Sequence, residues 1–433
     1  ILGGTTEGRT AALTAAGYGA RVALVEPPDL FAQRQQERFL LQGLQQLGET
    51  VQRQAVSAYF GQFGESVSRL NWAALLEWSA IAAQTQSAER SPAVMSASGV
   101  DVILERYRRL SRQLVVTTDR RRLSTRAILI AAGTVPVALA SLSGLTTLPE
   151  TVKIVGGSPV AILWAEAFCR LDIRVTLVAE RFLPSVDEDI RRLVRSQLIA
   201  SGAMLYQFDH HQTTPDCTLA LEPYRAAIAL PGFVYGRPRA RPLKVNRQLQ
   251  TAHPRVFVCG PVLGGTADEA IAEYEAKVAV RNALFVPNCW VDYEAIAQRH
   301  HRFASVGLTQ MQAQQRYGGA TQIWTASSAN STNLSQPDPS LLYCKLVCVN
   351  QRLSGVHLLG SGASELIYPL ASMIGKPVKA LTDTDRFPFS SQTAQNLADL
   401  VRAAAGQSQQ SRWQVEHWRR DWAENWFNWR RSR

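Results

Sequence analysis

Ile1-Leu2-Gly3-Gly4-Thr5-Thr6-Glu7-Gly8 opens the chain, and a run of small residues carries it into Arg21-Val22-Ala23-Leu24-Val25-Glu26. Apolar residues, a glycine turn, a small-residue helix, an apolar strand and an acid follow one another in that order. This is the layout of an ADP-binding βαβ unit, in which glycines let helix amides approach a pyrophosphate. A first strand of about 5 residues is expected before such a turn. Only Ile1 and Leu2 precede Gly3, and no Met opens the sequence, so the natural chain is expected to start earlier.

Outward from this unit the pattern changes several times. Residues 31–88 are rich in Gln, Leu and Ala at helical spacing and hold no phosphate loop of their own. Residues 99–130 alternate apolar and polar positions as short strands do, and lead into Ala131-Ala132-Gly133-Thr134-Val135-Pro136, a tight turn. A second unit of the same type follows: strand Val152–Val155, the turn Gly156-Gly157-Ser158-Pro159, a helix through Arg170, and strand Arg174–Ala179 before Glu180 and Arg181. Prolines 215, 223, 231, 238 and 242 punctuate residues 205–250. Strand Val256–Cys259 and a helix from Asp268 to Leu284 restore regularity, and separate strands and helices take over from 290.

Composition bounds the class. The 433 residues are too many for one core, and 46% hydrophobic with 19% charged residues is ordinary for a globular protein. No apolar run approaches the ~20 residues of a membrane span, and no signal segment opens the chain. Six scattered cysteines suit a reducing compartment, so a cytoplasmic location is expected. Cys344 and Cys348 share one face of a strand-like run, too far apart to bridge, and read as buried thiols. The net charge of +11 comes largely from clustered arginines; those at 106, 108 and 109 and at 120–122 and 126 read as solvated turns flanking hairpin strands.

Three stretches make a resemblance specific: Arg181-Phe182-Leu183-Pro184-Ser185-Val186-Asp187-Glu188-Asp189-Ile190, Phe303-Ala304-Ser305-Val306-Gly307-Leu308-Thr309-Gln310, and Ser354-Gly355-Val356-His357-Leu358-Leu359-Gly360 with Ala363-Ser364-Glu365-Leu366-Ile367. Together with the two nucleotide-type units, and in that order, they resemble the pyridine nucleotide–disulfide oxidoreductases, such as dihydrolipoamide dehydrogenase and mercuric reductase. The resemblance covers about residues 1 to 405. It implies an α/β fold with two Rossmann-like nucleotide-binding domains and a C-terminal α+β dimerisation domain. The expected division is an FAD-type domain at 1–150 and 235–289, a shortened NAD(P)-type domain at 151–234, and a dimerisation domain at 290–405. A two-fold homodimer follows from it.

The same resemblance points to the residues that depart from it. FAD would lie on the first unit, where Gly3 and Gly8 match but the middle glycine is Thr5. Glu26 matches the acid that bonds the adenosine ribose, while Glu7 stands where it would repel a phosphate. Ala132-Gly133 keeps most of an Ala-Thr-Gly turn. The family's Gly-Asp pair at the flavin is Gly260-Pro261, and Pro261 has neither carboxylate nor N–H. FAD binding and a merely structural use of Gly3 and Gly8 both stay open. In the second unit Gly156 matches, Ser158 and Ala161 replace glycines, and a remnant is favoured over a working NAD(P) site.

By spacing, Arg34 and Phe39 occupy the positions of the redox cysteines, after the place of a Gly-Gly-Thr stretch. Neither attacks a disulfide. Phe387 and Gln392 occupy the positions of the family's His–Glu pair, and neither titrates. Thiols and proton shuttle are missing together, so catalytic residues are expected to be absent, and no metal is implied.

Beyond the resemblance, 406–433 is expected to form a basic, Trp-rich helix. Val415, Trp418, Trp422, Trp426 and Trp429 fall in a stripe of ~80°, with Arg419, Arg420 and Arg430 outside it. Packing on the protein's own body, a protein partner and an anionic membrane surface are ranked in that order, and nucleic acid is disfavoured. Two functions of different class follow. A degenerate, non-catalytic dimeric scaffold is preferred; the alternative is an FAD-dependent NAD(P)H oxidoreductase that reduces its acceptor without cysteines.

Overall fold

The computed structural model describes residues 1–59, 71–111, 113–133, 136–208, 215–221, 243–263, 268–300, 302–329, 341–381 and 392–410, with backbone alone at 52–59, 328–329, 341, 392–393 and 407–410. The chain divides into two compact units, Ile1–Pro184 with Leu193–Asp292, and Ser185–Arg192 with Tyr293–Arg433.

In the first unit Thr5 caps helix α1 (Thr6–Gly17), and the chain returns as strand β1 (Val22–Glu26). β1 pairs in parallel with β2 (Val100–Leu104), and strand Ile128–Ile130 pairs in parallel with Val256–Val258. Leu2 bridges Val25 on one side and Ile130 on the other, also in parallel, so the sheet is continuous across the chain's opening residues. Leu2, Val25, Ile103, Ile128, Ile130, Val256 and Val258 bury one face of it. Helix α2 (Leu30–Tyr59) begins four residues after β1, because strong helix formers follow Asp29 without interruption.

A second parallel sheet has the order Cys217–Ala220, Thr151–Val155, Arg174–Val178, Met204–Tyr206. Ser158 caps helix Pro159–Cys169, and Pro159 fits the first helical position, where its missing N–H is not needed. Trp164 and Phe168 of this helix are fully buried with Leu40 and Leu44 of α2 and Trp72 of helix Trp72–Ser87. The arginine clusters at 106–109 and 120–126 are exposed around a three-stranded meander, with Arg121 paired to Glu105 and Arg108 to Asp119.

The second unit is an antiparallel sheet in the order Gln298–Arg299, Phe303–Gly307, Arg352–Leu359, Leu341–Val349, Thr321–Ala329. Side chains alternate across strand Leu341–Val349. Leu342, Cys344, Leu346 and Cys348 face helices Ala363–Ala371 and Gln392–Gln410 in the core, and Val347 and Val349 pack with Leu308 and Ala313. Cys344 and Cys348 are free and buried, as expected, and burial pushes the Cys348 thiol up to about 12.

Tyr343 and Lys345 bind the segment around Asp187. Lys345 Nζ donates to Asp187 Oδ1 at 2.7 Å and Asp189 Oδ2 at 2.6 Å, and Tyr343 donates to Asp189 Oδ2 at 2.9 Å. The Lys345 and Asp187 side chains are each 1% exposed. Burial opposes ionisation of Asp187, but His357, the Lys345 ammonium and the Gln310 amide outweigh it and hold the carboxyl below the usual range. His357 Nε2 donates to the Leu308 carbonyl at 3.0 Å. The three motifs that carry the resemblance thus meet in one buried cluster.

Candidate functional site

Between the end of β1, the start of α1 and the turn at Ala131-Ala132-Gly133 lies the place where the sequence layout puts a dinucleotide. Gly3 has φ +117°, and a Cβ on it would strike the Ala131 carbonyl; a Cβ on Gly8 would strike the Gly3 carbonyl. Both glycines are therefore required for packing alone. Thr5, in the middle position, is 1% exposed. Its Oγ1 accepts the Gly8 amide at 3.0 Å and donates to the Ala131 carbonyl at 3.0 Å. One helix amide that would face a phosphate is capped by the chain itself.

Glu26 ends β1 with its side chain 2% exposed, and Arg9 Nη2 of α1, 4% exposed, donates to its Oε1 at 2.5 Å. The Arg9 guanidinium carbon lies 3.8 Å from the Phe31 ring centroid, and its other terminal nitrogen donates to the Arg90 carbonyl. Phe31 itself is buried. Glu26 Oε2 is buried without a hydrogen-bond partner and faces Gly4, where a Cβ would overlap it. Burial pushes the Glu26 carboxyl up, against the Arg9 charge that pulls it down.

The other end of the groove holds Arg34. Its Nη2 donates to the Ala132 carbonyl at 3.3 Å, and its guanidinium fills the space a Cβ on Gly133 would need. Burial raises the Glu7 carboxyl and lowers the Arg34 guanidinium, and the two charges pull each other back. Glu7 fills the space beside Gly260, and the Gly260 amide donates to Glu275 Oε2 at 2.7 Å. Cys259, beside Glu7 and Glu275, is fully buried, and its thiol is pushed well up by burial and by both carboxylates.

Phe39 does not join Arg34. It meets Trp78 edge to face at 6.3 Å, on helix Trp72–Ser87. Between them Glu37 accepts the Leu139 amide at 2.8 Å, and so caps a short helix that its own N-cap, Pro136, leaves without a side-chain bond. In the second nucleotide-type unit Gly156 makes its turn at φ +143°, and Ser158 Oγ accepts the Ala161 amide at 3.4 Å. A Cβ on Gly157 would strike the Arg181 carbonyl, and Leu183 donates to the Gly157 carbonyl at 2.8 Å. Backbone packs the turn that the layout offers to a phosphate. Glu180 and Arg181 are exposed.

Residues 1–207 match the family model of the pyridine nucleotide-disulphide oxidoreductases, and residues 294–390 match the family's dimerisation domain. The chain belongs to the pyridine nucleotide-disulphide oxidoreductase family. Dihydrolipoyl dehydrogenase of Bacillus subtilis (strain 168) is 25% identical over 300 residues, covering 58% of this chain and 64% of the relative, a little under two thirds. Glutathione reductase of Burkholderia cepacia is 25% identical over 427 residues, 86% of this chain and 91% of the relative. The solved structure of LpdA from Mycobacterium tuberculosis superposes with a TM-score of 0.72 at 18% identity, covering 94% of this chain and 98% of that one. That likeness shows the fold, α/β with a C-terminal dimerisation domain.

The family is one of FAD-binding flavoproteins, so the fit of FAD is decided by the residues above. The described residues do not fit it. The acid given to the ribose already holds Arg9 and is sealed from solvent, and Thr5 takes a helix amide. Phe31, Ala32 and Gln33, which precede Arg34, are already inside α2. Arg9, Phe31 and Glu275 were not singled out in the sequence. A visible signal existed for Phe31: a bulky ring at a glycine position, three residues before Arg34. Phe387 and the tail residues Trp418, Arg419, Trp422, Trp426, Trp429 and Arg430 lie outside the described residues, as does the side chain of Gln392. Among the described residues no helix is long and apolar enough to cross a membrane, and no His, Cys, Asp and Glu cluster holds metal-ligand geometry.

Proposed function

We propose that this chain is a non-catalytic member of its family, a homodimeric scaffold that carries no dithiol chemistry. One observation carries the proposal: Arg34, at the position of the first redox cysteine, turns onto Ala132 and Gly133 and is held there as a structural cation. A guanidinium neither forms a thiolate nor passes electrons. Phe39 at the second position serves packing. The dimerisation domain, by contrast, has a complete core and a fully engaged ionic cluster, which supports retention of assembly.

On this reading the domains are those expected from the sequence, with 151–234 a remnant that packs rather than binds nicotinamide. For the basic Trp-rich tail at 406–433, most of it outside the described residues, packing on the chain's own body ranks ahead of a protein partner, and a partner ahead of an anionic membrane. The six unpaired cysteines suit a cytoplasmic, reducing setting. The alternative, an FAD-dependent NAD(P)H oxidoreductase without cysteines, keeps Gly3, Gly8 and Glu26 in its favour but needs a groove open to FAD.

The test is a turnover and assembly measurement on the purified full chain. It is expected to sediment as a dimer and to leave NAD(P)H unoxidised with disulfides, quinones or mercuric ion as acceptors. NAD(P)H oxidation at enzymatic rates with any of these would overturn the proposal, and so would a monomer.

A further inference from the structure

We infer that the ancestral cofactor groove is closed from within: the Arg9–Glu26 ion pair under Phe31, with the Arg34 guanidinium over the Ala132-Gly133 turn and the Glu7 side chain against Gly260, takes the place of FAD, so the fold stands without any dinucleotide. The inference rests on the non-catalytic reading above and deepens it, because it concerns what occupies the same groove.

Charge comes first. A βαβ nucleotide unit holds an acid at the end of its second strand so that it meets a ribose, and that acid needs an approachable oxygen when the ligand is absent. Here neither oxygen is approachable. Oε1 of Glu26 is bonded by a buried guanidinium, and Oε2 is shut against the Gly4 backbone. An isolated buried carboxylate is costly and a paired one is tolerated, so Arg9 offsets part of the cost of Glu26 inside. Phe31 covers Arg9 from the other side, where a weakly hydrated guanidinium stacks well on an aromatic face. Three elements, α1, β1 and α2, converge on one carboxylate.

The same logic repeats at the other end. Glu7 sits at the N-terminal end of α1, where a phosphate would bring like charge beside it. The Arg34 guanidinium lies over the Ala132-Gly133 turn, bonded to the Ala132 carbonyl, and the Glu7 side chain fills the space against Gly260. Thr5 supplies the acceptor for the Gly8 amide. Each group that a dinucleotide would satisfy, an acid, an amide and a turn, thus has a protein partner.

The experiment titrates the full-length chain with FAD and, separately, follows a double-mutant cycle on the Arg9–Glu26 pair. Flavin fluorescence is expected to show no saturable binding, and the melting temperature is expected to stay put with FAD in excess. Stoichiometric FAD binding would overturn the inference. If that bound flavin is not reduced by NAD(P)H, the scaffold reading survives; if it turns over, both fall. A monomer that binds no FAD would overturn the scaffold reading alone. In the cycle, E26Q strands a buried Arg9 and is expected to lower the melting temperature or abolish folding, and R9M/E26Q is expected to recover part of the loss. Strictly additive losses, or an E26Q protein as stable as the parent, would contradict the pairing.

Discussion

The first unit and the second each bury a set of charges, and they use them in opposite ways. In the groove of the first unit, Arg9 and Glu26 pair where a dinucleotide was expected, and Arg34 stands at the position that spacing assigns to a thiol. In the second unit, Lys345 pairs with Asp187 and Asp189 inside motifs through which the chain resembles its family. These charges of the second unit tie the sheet to the segment around Asp187. Glu26, expected at a ribose, holds Arg9, and Arg34 donates to the Ala132 carbonyl. Burial makes an unpaired charge costly, and Arg9 with Glu26 in one unit and Lys345 with Asp187 in the other each meet that demand.

The largest effect is expected in the second unit. Lys345→Ala leaves the Asp187 carboxylate 1% exposed with its ammonium gone, a loss of about 3–5 kcal/mol for a broken buried pair. Thermal melting and sedimentation should show a lower transition and a weakened dimer. Arg9→Ala in the groove should cost somewhat less, about 3 kcal/mol, because Glu26 is already pushed toward its neutral form and takes up a proton in relief. An Arg9→Ala loss larger than that of Lys345→Ala would reverse the comparison.

Acid separates the regions by sign. The folded Asp187 carboxyl lies below its ordinary value, so its contribution is fully present above that value and is lost as pH falls through the folded one. Glu26 and Glu7 lie above theirs, so their contribution is fully present below the ordinary value and is lost only as pH rises through the folded ones. Hydrogen exchange at about pH 3 should therefore lose protection first in strand Leu341–Val349, while β1 and α1 stay protected through the same window. Simultaneous loss in both would mean that the two networks are not electrostatically distinct. The smallest effect is expected at the cap: Thr5→Ala should lower stability by about 1 kcal/mol in chemical denaturation, without conferring affinity for FAD.

How much of this was legible in the sequence follows from the range of each contact. The order of strands and helices and the sheet motifs are local patterns, and they read correctly as the family's architecture. The place of Glu26 at the end of an apolar strand was legible too, though not what it holds. Arg9 lies 17 residues away on a helix whose small residues drew attention to packing. Glu7 was read as a charge that repels phosphate; the structure buries it against Gly260, a placement that no local pattern announces. Lys345 and Asp187 are 158 residues apart, and only the folded sheet brings them together. Phe31 is the one missed residue that spacing alone exposed.

The central claim is that the groove is filled by the chain's own side chains, and the visible spectrum of the full-length protein, purified with FAD present throughout, tests it most directly. A dimer with no flavin absorbance is the predicted result. A dimer carrying one flavin per chain would contradict it, since Glu26 and the Gly8 amide would then be holding a ligand rather than Arg9 and Thr5.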